Sequence, residues 1–361
     1  MKIFHFFLYI VHICLYNCTR GEATGPEKQK IRLQDIARQA GVSNATVSRV
    51  LHNQGLVNGE TYRKVLDAMN VLGYSHTLRV SASCGKGSSP DLIILSLPAI
   101  SNPFYYEIAV GAQDAAKRFG YRVLISNSPL DTDGLDQLTA LAKSGTVAGI
   151  ISLNSMTNAV LDRLCSVTHV VQCCEYCDGS NVPFVSINDY QATRSALLHL
   201  YSHGRKDIAL INGPLGYKYA RHRQTAYLDF LQENHLPIRE DRIIQLSSVD
   251  FSIAVVSLTQ LLSNPSPPDA IFAISDVFAV AAVKVAKKCG LRIPQDLMVV
   301  GFDNIDVSYM FEPTITTVNQ PKHQLGYMAC ELLVEKISNP DAPLKQIFLD
   351  TELIVRESTT E

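Results

Sequence analysis

Residues 33–51 hold two stretches of helical spacing with a single glycine between them, and the second stretch is polar along its opening turn. Leu33, Ile36, Ala37 and Ala40 fall at i, i+3, i+4 and i+7, and Gly41 supplies the left-handed residue that ends a helix. Ser43 is placed to cap a second helix whose apolar set is Ala45, Val47, Val50 and Leu51, leaving Asn44, Thr46, Ser48 and Arg49 polar near its start. A third helix is predicted with Asn58 as cap, Tyr62, Val65, Ala68, Met69 and Leu72 as its buried stripe, and Gly73 as its stop. This is the spacing of a helix-turn-helix, in which the second helix enters the major groove of DNA. The residues expected to meet DNA are Ser43, Asn44, Ala45, Thr46, Ser48 and Arg49, with Asn58 and Thr61 at the third helix. Arg49 suits the forked contact to guanine; the hydroxyls suit phosphates or base edges.

Any small three-helix cluster shows a similar apolar pattern, so charge decides between them. The chain as a whole carries a net −2, but residues 27–90 hold nine Lys and Arg against four Asp and Glu, a local +5, and residues from 91 onward a net −8. Positive charge is concentrated where a polyanion would sit.

Beyond Pro90 the pattern changes. Continuous apolar runs of strand length at 92–97, 123–126, 147–153, 169–174 and 184–188 form one set, and 208–212, 242–246, 270–275 and 298–303 a second. Helical segments at 105–118, 191–203, 225–234 and 278–289 interleave with them, which implies an α/β chain of two parallel-sheet lobes rather than a single core.

The run from Asp35 to Leu51, with Gly73-Tyr74 closing the third helix, resembles the headpiece of the lactose-repressor (LacI) family. The resemblance continues through Asn102-Pro103-Phe104, Asn212-Gly213-Pro214, Ser275-Asp276, Gly301-Phe302-Asp303-Asn304, Thr316-Thr317 and Asn319-Gln320-Pro321, and so spans nearly all of the chain from Ile31. Gly301 to Asp306, Gln320-Pro321 and the closing run from Glu352 to Thr359 are most similar to the cytidine-responsive branch. The resemblance implies a helix-turn-helix headpiece at 31–74, a hinge linker at 75–90 and a two-lobed, periplasmic-binding-protein-like (type I) effector domain at 91–361. Its first lobe is expected at 91–188 and 319–345, its second at 189–318 and 346–361. It further implies a homodimer on a pseudo-palindromic operator in duplex DNA, released by a small effector, a nucleoside such as cytidine, with the linker inserted in the minor groove. Family linkers carry Ala-Arg-x-Leu where this chain has Val80-Ser81-Ala82-Ser83, so the wedge is missing at its usual place: either Leu78 or Val80 substitutes in a shifted register, or operator kinking is weaker and half-site spacing looser. Arg32 stands in place of a capping Thr, and His52 in place of an Asn.

Ligands of open parallel sheets bind beyond the carboxyl ends of the strands. That rule selects Asn102, Phe104, Tyr105 and Glu175 from the first lobe and Arg223, Phe251 and Asp276 from the second. The resemblance implies that Arg223 and Asp276 hold ligand hydroxyls and that Phe251 stacks on the ligand. The plainer alternatives are core packing for Phe104 and Phe251 and a surface ion pair for Arg223 and Asp276.

Other functions are disfavoured. No Gly-x-Gly-x-x-Gly follows a strand and no Gly-x-Ser-x-Gly elbow occurs, so neither an enzyme nor a cofactor is expected. Cys173, Cys174 and Cys177 lack a second ligand pair at finger-like spacing, so reduced cytoplasmic thiols are expected rather than a metal. An exported solute receptor would share the two lobes but have no use for a helix-turn-helix. Residues 1–30 are expected to lie outside the fold: the apolar stretch at 3–16 contains His5 and His12 and falls short of the ~20 residues that span a bilayer. An anchor or export signal is the alternative there, and no stable membrane partner is expected.

Overall fold

The computed structural model describes residues 33–44, 46–47, 61, 64–65, 68 and 90–360. They belong to two compact units that divide between Gly87 and Ser88.

In the first unit, helix α1 (Leu33–Ala40) carries Asp35 in its first turn and Arg38 in its last, both favourable to the helix dipole. Gly41, at φ +66°, turns the chain out of it, and the Val42 N–H closes the end by donating to the Ala37 carbonyl at 3.0 Å. Ser43 is the expected cap: its Oγ accepts from the Thr46 N–H at 3.1 Å. Asn44, Thr46 and Val47 are helical. Val47 packs with Ile36 and Ala37 of α1 and with Val65 and Ala68, one core formed by the three expected stripes. Ala45, Ser48, Arg49, Asn58, Leu78 and Val80, the linker up to residue 89 and residues 1–30 lie outside the described residues.

The second unit holds two six-stranded sheets. The first has strand order β11-β5-β4-β3-β1-β2, all parallel: β1 (Leu92–Ser96), β2 (Arg122–Ser126), β3 (Val147–Ser152), β4 (His169–Cys173), β5 (Phe184–Ile187) and β11 (Gln346–Leu349). The second has order β12-β10-β9-β8-β6-β7: β6 (Ile208–Asn212), β7 (Ile243–Gln245), β8 (Ala270–Ala273), β9 (Met298–Asp303), β10 (Thr316–Asn319) and β12 (Glu352–Ile354). Only the β10–β12 pair is antiparallel. Helices cover both faces, so every residue of the central strands β3, β8 and β9 is buried, and all but the terminal Ser152 and Asp303 are apolar. At the edge, β2 leaves Leu124 and Ile125 exposed.

The connecting helices are α2 (Phe104–Arg118), α3 (Thr132–Lys143), α4 (Asn158–Cys165), α5 (Asp189–Ser202), α6 (Lys218–Glu233), α7 (Phe251–Leu262), α8 (Asp276–Lys288), α9 (Val307–Met310) and α10 (Lys322–Ser338). The long helix α10, unmarked by the sequence patterns, crosses α2 at backbone distance. A Cβ on Gly111 would stand 1.9 Å from the His323 carbonyl oxygen, and one on Gly326 equally close to that of Ile108. Only glycine fits at either place.

The chain crosses between sheets three times: at Asn188, which also caps α5 by accepting from the Gln191 N–H at 3.0 Å, at Gln320-Pro321, and at Asp350-Thr351. The last crossing corrects the expected boundary at 345/346. Strand β11 pairs with β5, and Phe348 lies edge-on to Phe184 with ring centroids 5.4 Å apart, so residues 346–349 belong to the first lobe.

Candidate functional site

A cavity of about 520 Å³ of atom-free space, part of it open to solvent, lies between the carboxyl ends of the two sheets. The first lobe contributes Asn102, Phe104 and Tyr105 from the β1–α2 turn, and Cys174 and Glu175 from the end of β4. The second contributes Tyr219 and Arg223 from one face of α6, Ser275 before α8, and Asp303 at the end of β9. Asp189 and Gln320 come from two of the crossings. The strand-end rule therefore places five of its seven choices, Asn102, Phe104, Tyr105, Glu175 and Arg223, on the cavity wall.

Asn102 stands with its Oδ1 accepting from the Phe104 N–H at 3.1 Å, fixing the turn that aims Phe104 and Tyr105, whose rings meet edge-on at 5.3 Å. Arg223 is the hub of the opposite wall. Its Nε and one terminal nitrogen donate to Asp189 Oδ1 at 2.9 and 2.7 Å, and the other terminal nitrogen donates to the Ile274 carbonyl at 2.6 Å. The guanidinium lies 3.4 Å over the Phe302 ring centroid. These bonds use three of its five N–H donors. Lys218 completes the cluster, donating to Asp189 Oδ2 at 3.1 Å. Burial alone would raise the Asp189 carboxyl, but Arg223 and Lys218 outweigh it and hold the group below the usual range.

Asp303 differs. Burial pushes it up to about 6 against the pull of Arg223, Lys322 and the Gln320 amide, which donates to its Oδ1 at 2.7 Å. Its backbone adopts φ +106°, and the buried Lys322 ammonium pins that turn by donating to the carbonyls of Asp303 and Asn304 at 2.7 and 3.0 Å. Burial also raises Glu175, opposed by two backbone N–H groups at the start of α6.

Two expected residues are not on the wall. Asp276, fully buried as the first residue of α8, turns sideways, accepting from the Thr317 hydroxyl at 2.6 Å and the Ile305 N–H at 2.8 Å; it braces the turn behind Asp303. Phe251 begins α7 and packs against the core beneath Lys284, whose ammonium is 5.1 Å from its ring; Val249 of the same loop lines the cavity instead. Asp303 and Gln320 sat inside the motifs quoted above, and the strand-end rule that chose Asp276 applies better to Asp303, the last residue of β9. Asp189 and Tyr219 carried no local signal, since only the crossing at Asn188 and the rotation of α6 bring them in.

Among the described residues no helix is long and apolar enough to cross a membrane. Two lobes hinged by three crossings around a cavity, in a chain that also carries a helix-turn-helix unit, define a ligand-responsive DNA-binding protein. The description "Bacterial regulatory proteins, lacI family" matches residues 32–76, and "Periplasmic binding protein-like domain" matches residues 197–359. Over 329 residues the chain is 30% identical to the HTH-type transcriptional repressor CytR of Escherichia coli, covering 91% of this chain and 96% of that protein. It is 33% identical to the ribose operon repressor of Halalkalibacterium halodurans over the same shares. A periplasmic binding protein/LacI transcriptional regulator from Alkaliphilus metalliredigens, solved with D-xylulofuranose, superposes with a TM-score of 0.66 at 29% identity, covering 75% of this chain and all of that one. The chain belongs to the lacI family of bacterial regulatory proteins, DNA-binding transcriptional repressors.

Proposed function

We propose that this repressor acts in the cytoplasm as a homodimer on a pseudo-palindromic operator and leaves it when a nucleoside, cytidine first among them, fills the cavity. In this reading Ser43, Asn44, Ala45, Thr46, Ser48 and Arg49 meet the major groove, with Asn58 and Thr61 on flanking phosphates and Leu78 or Val80 in the minor groove. The carrying observation is the composition of the wall. Phe104, Tyr105 and Tyr219 offer flat apolar faces, while Asn102, Arg223, Asp303 and Gln320 offer donors and acceptors for ribose hydroxyls. The similarity to CytR supports the same choice. Release requires the effector to bind the closed, DNA-incompetent arrangement of the lobes more tightly than the other.

A second reading, a free pentose, is favoured by the 33% identity to a ribose operon repressor and by the xylulofuranose bound to a related sensor. Fluorescence anisotropy of labelled upstream DNA, at one fixed salt concentration, separates the two. Cytidine is expected to lower the protein's DNA affinity where ribose at equal concentration does not. Equal release by ribose overturns the nucleoside reading.

A further inference from the structure

Glu175, only 4% exposed, reaches from the first lobe to the start of α6 in the second. Its carboxylate oxygens accept from the backbone N–H groups of Lys218 at 2.8 Å and Tyr219 at 3.1 Å, the first two residues of that helix. The side chain of the cap residue Tyr217 makes no capping hydrogen bond. A sixteen-residue helix with uncapped N–H groups facing a ligand cavity is an ordinary phosphate site. Here the chain's own carboxylate already fills it.

The remaining charge on the wall points the same way. Glu175, Asp189 and Asp303 line the cavity against one cation, Arg223, which is itself bound to Asp189. Two lysines stand behind the wall, both committed. Lys218 is bonded to Asp189 and lies 4.4 Å over the Tyr176 ring; Lys322 holds the carbonyls of Asp303 and Asn304 and pairs with Glu107 at 3.3 Å. A phosphate monoester brings about −1.5 to −2 charges at neutral pH, and wherever it fell in this cavity it would meet carboxylates before it met a free cation.

We infer that the cavity selects an effector without phosphate, and that Glu175 is the specificity-determining residue: it admits a nucleoside but not a nucleotide, a free sugar but not a sugar phosphate. This rests on the cavity being the effector site and not on which effector it takes.

Calorimetry on the full chain tests this with two pairs, cytidine and cytidine 5′-monophosphate, ribose and ribose 5-phosphate, plus inorganic phosphate. In the wild type the unphosphorylated member of the binding pair is expected to bind roughly 100-fold more tightly than its ester. Glu175→Gln, which keeps an acceptor for one of the two N–H groups, and Glu175→Ala, which vacates the helix end, should each narrow that ratio by about tenfold, and Glu175→Ala should bind inorganic phosphate measurably. An ester that binds the wild type within about threefold of its partner overturns the inference, as does a ratio unchanged in both variants while the unphosphorylated ligand still binds. Ribose binding without cytidine, with ribose 5-phosphate excluded, sinks the nucleoside reading and leaves this one standing. Cytidine 5′-monophosphate binding as well as cytidine does the reverse.

Discussion

Asp189 and Asp276 occupy the same place in two helices. Each is the first residue of its helix, preceded by a capping residue, Asn188 or Ser275, and each is buried. The neighbours separate them. Asp189 faces two cations from α6 and is held ionised; Asp276 meets one hydroxyl, one backbone N–H and, nearby, the carboxyl of Asp303, and burial with that like charge pushes it up to about 8. One is a charge on the cavity wall, and the other is a neutral pin behind it. A helix start does not decide between these roles; the side chains that tertiary structure delivers do.

The largest effect is expected from removing the charge that Arg223 and Lys218 share. Asp189→Ala leaves two buried cations without their counter-charge, which costs about 3–5 kcal/mol, read as a lowered urea midpoint. A loss below about 1 kcal/mol would mean that both cations find other acceptors, and the contrast with Asp276 would rest on burial alone.

A middle-sized effect tests the other corner. A Cβ on Gly301 would stand 2.3 Å from Asp276 Oδ1 and 3.1 Å from the Ala279 Cβ, so Gly301→Ala should destabilise by about 1–3 kcal/mol. Combining it with Asp276→Ala should recover part of that loss, since the two changes share one contact. Strict additivity would show that Asp276 is not what Gly301 accommodates.

Local pattern carried much of this fold. Strands β6 and β9 match their expected bounds, and the headpiece helix, its glycine stop and its Ser43 cap are all encoded within a dozen residues. What the sequence left dark depends on distant partners. Helix α6 starts at Lys218, well before the expected 225, because its cap is Glu175, which no window around residue 218 contains. Strand β11 was assigned across the hinge because its partner β5 lies some 160 residues earlier. In the cavity, turns and strand ends were legible, whereas Asp189 enters by the crossing at Asn188. Asp276 and Asp303 both stand at the end of apolar runs in the sequence, and only the direction of the side chain tells them apart.

That last pair yields the smallest and sharpest prediction. Asp276→Asn keeps the shape, can still accept from the Ile305 N–H and bond the Thr317 hydroxyl, and replaces a carboxyl that the fold holds mostly protonated at pH 7. Near pH 4, where the wild-type carboxyl carries its proton in the fold and about half the time in the unfolded chain, stability should change by less than about 1 kcal/mol, and effector affinity should hold, because Asp276 does not line the cavity. The pH profile should change more visibly. With the folded carboxyl at about 8 and the unfolded one at the model-peptide value of 3.8, the folded state keeps a proton that the unfolded state has released. Its contribution is therefore complete below the unfolded value and is lost as pH rises towards 8, at no more than about 1.4 kcal/mol per pH unit. Asp303 titrates in both proteins and largely cancels in the difference. Urea unfolding of wild type and Asp276→Asn from pH 5.5 to 8 should show wild type falling steadily further behind the variant as pH rises. A difference that stays flat would mean Asp276 is ionised in the fold as Asp189 is, and the two helix starts would then be alike.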